Sequence, residues 1–194
     1  MSTSDIAVAN YALQKLGAER VESFDQNHPN ARSVKAVYDS IKRAELRRFH
    51  WGFATRRATL AKDTATTIWG NLNRFTTPTG FIRLIFDDET GQRTDWRLES
   101  DDTDTLFIVT KDAAPLYIKY IHEVKSANLY DALFENAFAT KVAFEICEEV
   151  TGSGGKKKSL KDDYKTAIAE AKRVGSIEAT AIEFPEDTWI SERR

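Results

Sequence analysis

Residues 30–60, NARSVKAVYDSIKRAELRRFHWGFATRRATL, decide the fold class, because the spacing of the apolar residues changes inside them. Val34, Val37, Tyr38 and Ile41 recur at helical intervals, with Leu46 and Phe49 toward the end, so a helix is expected over residues 30–49. Pro29 suits its start, where a missing N–H costs nothing. Past Trp51 the helical interval is lost, and residues 53–60, FATRRATL, read as extended chain. A chain that leaves a helical period, passes through strands and returns to helix is expected to be α+β.

Working outward, residues 5–16 read as a short helix with Ile6, Ala9, Leu13 and Leu16 on one face, Ser4 as cap and Gly17 as stop. The loop that follows holds Phe24, expected to plug back onto the helices. Residues 60–80 are Thr-rich and turn-like around Trp69, Phe75 and Pro78-Thr79-Gly80. Strands are expected at 81–86, 96–99, 106–109 and 116–121, with a hairpin turn at Gly91, forming one small antiparallel sheet. Helical spacing returns over 127–150, with Ser126 as cap. Thr151–Gly155 reads as a flexible break, and a last helix covers 159–174, its start marked by a Ser159/Asp162 capping box. From 176 onward there is no period, yet Phe184, Trp189 and Ile190 are apolar.

The expected organisation is a helical platform from residues 1–50 and 126–175, a β-rich insertion at 51–125, and an extended C-terminal arm at 176–194. The two helix pairs should pack together, since neither buries its apolar stripe alone. Pro185 favours an extended path for the arm. Trp189 in that arm suits an interface anchor as well as self-packing, and the arm is expected to act between molecules.

The 194 residues are 41% hydrophobic and 30% charged, enough for an ordinary core. A net charge of -2 gives no global reason to wrap nucleic acid or lie on a membrane. The distribution is uneven. Lys42, Arg43, Arg47, Arg48, Arg56 and Arg57 stand against Glu45 alone, whereas residues 87–104 are acidic, with Asp101, Asp102 and Asp104 at their end. Two readings remain open: solvated faces, or complementary contact surfaces. The opening MSTSDIAVANYAL has no basic or long apolar region, so no signal peptide is expected. No apolar run is long enough to span a bilayer.

The search for chemistry returns little. Gly155-Lys156 is followed by Lys157 and sits between helices, so it lacks the Gly-Lys-Ser/Thr of a phosphate loop. Glu145, Glu148 and Glu149 share a helical face, but His28, His50 and His122 lack the carboxylate spacing of a bundle metal site. The single Cys147 excludes an internal disulfide and a Cys-based zinc site, and amid Phe144 and Ile146 it reads as a small core residue. No cofactor, metal or catalytic residue is expected, and the chain is read as a non-enzyme.

One longer pattern stands out. Ala12-Leu13-Gln14-Lys15-Leu16-Gly17, Ser23-Phe24-Asp25, Ala31-Arg32, Tyr38, Arg43 and Leu46 lead into Phe49-His50-Trp51-Gly52-Phe53-Ala54-Thr55-Arg56-Arg57-Ala58-Thr59-Leu60-Ala61. Asp95-Trp96-Arg97, Ala114-Pro115-Leu116, Asp131-Ala132-Leu133-Phe134 and Glu186-Asp187-Thr188-Trp189 continue it. The pattern resembles the podovirus tail tubular protein A family and related phage head–tail connectors, across most of the chain but as scattered short motifs. It departs from that family at His50, where Pro is usual, and at Thr77-Pro78-Thr79-Gly80, where Leu-Pro-x-Asp is expected. The resemblance implies a homo-oligomeric, twelvefold ring in the virion neck, assembled in the host cytoplasm. Its partners would be the portal protein and a tail nozzle resembling tail tubular protein B, with genome DNA passing through the lumen without specific binding. Acidic residues such as Asp101, Asp102 and Asp104 would line that lumen or face the nozzle. Arg43, Arg47, Arg48, Arg56, Arg57, Phe184, Trp189 and Ile190 are the other expected interface residues. The rival readings are another tail or nozzle component and, from a different class, a tail-borne hydrolase.

Overall fold

The structure, a computed structural model, describes residues 4–64, 72–86 and 95–178. The first helix, α1 (Asp5–Leu16), begins as expected: the Ser4 hydroxyl accepts from the Ala7 N–H at 3.1 Å. It ends at Gly17, whose φ of 70° lets the Ala18 N–H fold back to the Leu13 carbonyl at 3.0 Å. The long helix α2 (Pro29–Arg48) carries Pro29 in its first turn. A 3₁₀ turn at Gly52–Ala54 then converts the chain to strand β1 (Thr55–Leu60), where the period of the sequence changes. The protein is α+β, with its helices at both chain ends.

The β portion differs from the single sheet expected. Among the described residues there are two three-stranded antiparallel sheets. Besides β1 the strands are β2 (Asn73–Thr76), β3 (Phe81–Phe86), β4 (Trp96–Ser100), β5 (Leu106–Thr110) and β6 (Leu116–His122). One sheet runs β1-β6-β3 and the other β2-β5-β4. Strand β2 lies inside the stretch expected to be turn. It holds its place because Phe75 is fully buried, an anchor that a Thr-rich composition does not reveal. The sheets share a core in which Phe75 and Ile108 from one meet Leu84, Leu116, Ile118 and Tyr120 from the other. The tight turn joining β2 to β3 needs glycine twice over. Gly80 has φ of 74°, and a Cβ there would stand 2.7 Å from the His122 ring. The expected turn at Gly91, and Trp69, lie outside the described residues.

Helix α3 (Ala132–Thr151) starts later than expected. A 3₁₀ turn occupies Ala127–Leu129, and Asp131, not Ser126, is the cap: its carboxylate accepts from the Leu133 and Phe134 N–H groups at 2.9 and 3.2 Å. A carboxylate reaching two free N–H groups outcompetes a hydroxyl that makes no such bond. Helix α4 (Gly154–Glu178) starts earlier and ends later than expected. Ser153 caps it, through the Lys156 N–H at 3.3 Å. Lys156 also donates from Nζ to the Leu16 carbonyl at 2.5 Å, holding the first turn against the end of α1 despite its two glycines. The expected break is therefore short, and helix extends into the first residues assigned to the arm.

The helices from the two ends do pack together, α3 against α1, α2 and α4. Their shared core contains Leu13, Val34, Leu46, Trp51, Phe134, Phe138, Val142, Ile146 and Leu160. Phe24 packs on the Tyr38 ring at 5.1 Å between centroids, as expected of that loop. Ile82, Ile85 and Ile121 belong to this core too, so the β1-β6-β3 sheet is fastened to the helices. No helix among the described residues is long and apolar enough to cross a membrane.

Candidate interaction surfaces

Of the basic residues of α2 and β1, Lys42 is buried, and Arg48 is exposed but paired within the chain. Glu45 is almost completely buried at the α2–α4 contact. Tyr164 of α4 places its hydroxyl 2.8 and 2.9 Å from the two carboxylate oxygens. Arg48 donates to that same hydroxyl at 2.8 Å and lies 3.7 Å from the Glu45 carboxylate. The Trp51 indole N–H donates to the Glu45 carbonyl at 2.9 Å. Burial first, then the Glu45 charge, pushes the Tyr164 phenol above its ordinary range. A buried carboxylate is costly without such partners, and Arg48 is engaged by it although its side chain still reaches solvent.

Arg43, Arg47, Arg48, Arg56 and Arg57 are all exposed. Arg43 pairs with Glu123 at 3.8 Å. Arg47 donates to the Ile82 carbonyl at 2.6 Å, which brings it onto β3. There it meets Arg83, a residue the sequence reading passed over as part of an apolar strand. Partial burial and then the nearby Arg47 charge lower the Arg83 pKa, and the Arg83 Nε is buried with no hydrogen-bond partner. Arg83 sits opposite Ile121 on β6, and His122 opposite Phe81. Burial, then Arg56, holds the His122 imidazole below its ordinary range; Lys125 acts in the same direction, and Glu123 and the Thr79 carbonyl oppose. Arg83, opposite Ile121, thus shares the helical face of the sheet with the Arg47 contact, whereas Arg56, opposite Tyr120, stands on the other face. Arg57 stands on β1 opposite Lys119. The one signal for Arg83 in the sequence is a lone charge inside FIRLIF.

The acidic residues fall on the hairpin between β4 and β5. Asp101 is used internally. One of its oxygens accepts from the Thr103 and Thr105 N–H groups at 3.0 and 3.1 Å and from the Thr103 hydroxyl at 2.6 Å. The other lies 3.6 Å from Arg74. The Thr103 hydroxyl first, with those backbone bonds and Arg74, lowers the Asp101 pKa. Arg74 also pairs with Asp63 at 3.2 Å and stacks on the Phe107 ring at 3.8 Å, which fixes the hairpin to its sheet. Asp102 and Asp104 are left exposed at the tip, with Asp104 at a φ of 58°. Among the described residues no ion pair joins this tip to the arginines of α2 and β1. Phe184, Trp189 and Ile190 lie outside the described residues.

The carboxylates considered for a metal are otherwise engaged. Glu145 pairs with Lys141, Glu148 with Lys157 at 2.7 Å, and Glu149 accepts from the Ser33 hydroxyl at 2.6 Å. Cys147 is fully buried.

No protein-family model matches this chain, and a search of curated proteins finds no significant match.

Proposed function

We propose that this chain is a structural protein of a phage virion, an adaptor of the neck that forms a ring between the portal protein and the tail nozzle. The observation that carries the reading is the stretch Phe49–Ala61. It is the most continuous part of the resemblance to the tail tubular protein A family, and it forms the joint between helical body and β portion, from the end of α2 through Trp51 into β1. A body of helices with a fastened β portion suits a platform held in the neck that projects toward the tail. In this reading the chain carries no chemistry of its own. It follows the portal's symmetry through contacts between two different patches on each subunit, and genome DNA passes through the lumen without specific binding.

The test is a mass measurement of purified particles and of particles stripped of their tails. The chain should be present in a fixed copy number matching a dodecamer, and should stay with portal-bearing capsids. Absence from particles, or a copy number matching no ring, would remove the reading. Copurification with nozzle fragments alone would make it a different tail component.

A further inference from the structure

We propose that the outer half of the β1-β6-β3 sheet face that looks toward the helices is a docking surface for residues 179–194 of the same chain. The β1–β6 register defines that face. Ile121 belongs to the helical core and stands opposite Thr55. Side chains alternate along a strand, so the next two rows on the same side are Arg57 opposite Lys119 and Thr59 opposite Tyr117. Their neighbours Ala58 and Ile118 point the other way, into the β core. The helices cover the first row and stop short of the outer ones: Arg57 and Thr59 are exposed, and Tyr117 is 42% exposed.

These rows favour an acidic peptide that carries aromatic rings. Arg57 and Lys119 are like charges directly opposite one another, an arrangement that destabilises a strand pair. Among the described residues Arg57 takes part in no ion pair. A carboxylate laid over that row would offset the repulsion, and a guanidinium matches its two oxygens. Tyr117, one row further out, offers an exposed ring for a second ring to cover. Residues 179–194 carry both complements: Glu183, Glu186, Asp187 and Glu192, interleaved with Phe184 and Trp189.

The end of α4 puts that segment within reach. Helix α4 ends at Glu178. Its last turns lie on Phe49: the Lys172 ammonium is 5.9 Å from that ring, and a Cβ on Gly175 would stand 3.4 Å from its edge. Phe49 adjoins Trp51 at 5.0 Å between centroids, and β1 begins at Thr55. The segment therefore departs near the root of β1. From Thr55 to Thr59 is about 14 Å of strand, whereas the sixteen residues 179–194 span roughly 50 Å when extended. A tethered ligand acts at an effective concentration of about a millimolar, which favours the face of its own chain over that of a neighbour. The docking needs one chain and does not rest on the adaptor reading.

Nuclear magnetic resonance on the full chain tests it. A nitroxide is attached at Ser191→Cys, the native Cys147 being fully buried. It should broaden the amide signals of residues 57–60 and 116–119 in the labelled chain. It should leave sharp those of an isotope-labelled chain without nitroxide mixed with it. Glu186→Lys/Asp187→Lys, which leaves residues 4–178 untouched, should restore the broadened signals. Arg57→Glu/Lys119→Glu should do the same, with circular dichroism to check folding. All four substitutions together should broaden them again, because reversed charges meet reversed charges. Sharp signals in the chain labelled at Ser191→Cys alone overturn the docking. Broadening seen only in the mixture gives the segment to a neighbouring copy and overturns it too. So does broadening that survives Glu186→Lys/Asp187→Lys, since the charges then do not select the face. Duplex DNA that shifts these signals while the nitroxide leaves them sharp assigns the face to phosphate and likewise overturns the proposal.

Discussion

In the helical body, Phe134 touches the rings of Trp51, Phe53 and Tyr130 at 4.9 to 5.1 Å between centroids, and Phe138 adjoins Tyr38 at 5.0 Å. Every helix contributes to that core. The β portion has a smaller core centred on Phe75 and Ile108, and the β2-β5-β4 sheet places no residue in the helical core. The tip of its outer hairpin is tied by polar groups, through Asp101, Arg74 and Asp63. A large apolar core tolerates no local opening without loss of the whole body. A small core whose outer sheet, among the described residues, adds nothing to the helical core can open by itself. The comparison therefore assigns stability to the helices and presentation of surface groups to the sheets.

The largest effect should come from Phe134→Ala. Removing a fully buried ring from the aromatic cluster should cost about 3–5 kcal/mol, and far-ultraviolet and near-ultraviolet signals should be lost together on melting. Phe75→Ala removes the same side chain, also fully buried, from the β core. Its cost should be of similar order, about 3–5 kcal/mol, but it should be felt locally. Hydrogen exchange should rise in β2, β4 and β5 while amides of α1 and α3 stay protected. Uniform loss of protection in both variants would break the comparison and make the chain one cooperative unit.

A smaller loss is expected for Tyr164→Phe, which takes the hydroxyl from the buried Glu45 carboxylate. The cost should be about 1–3 kcal/mol, carried by the α2–α4 contact. A denaturant midpoint unchanged from the wild type would show that Arg48 alone satisfies Glu45.

The smallest effect should be the pH dependence set by His122. Its folded pKa lies below the ordinary 6.5, so folding favours the neutral ring. The stability this represents is fully present above 6.5 and is lost as pH falls through the folded value. Thermal melts of the wild type should therefore decline on mild acidification, and His122→Gln should flatten that part of the profile. Superimposable profiles would detach the histidine from stability.

The helices were legible because their signals are local. Helical spacing in 30–49, Ser4 before α1 and Gly17 after it act within a few residues of one another, and the structure follows them. The strands from β3 to β6 were legible as short apolar or alternating runs. Strand β2 was not, because Asn73–Thr76 is held by burial of Phe75 against residues remote in sequence, and the division into two sheets depends on the same packing. The early start of α4 was hidden for a related reason. Two glycines argue against helix locally, and the Lys156 bond to Leu16 that favours it spans most of the chain.

For the candidate surfaces, sequence alone supplied the charge of each segment, the absence of known catalytic spacings and the resemblance from which the adaptor proposal is made. It did so because composition and short motifs are written residue by residue. Which charges find partners within the chain was decided only by the tertiary structure. Arg48 and Asp101 sit among like-charged neighbours in the chain, yet Tyr164, Glu45, Thr103 and Arg74 engage them. Arg83 sits in an apolar run, yet β3 carries it to Arg47. The energy of a charge depends on what lies within a few ångströms of it, and folding, not sequence order, sets those neighbours.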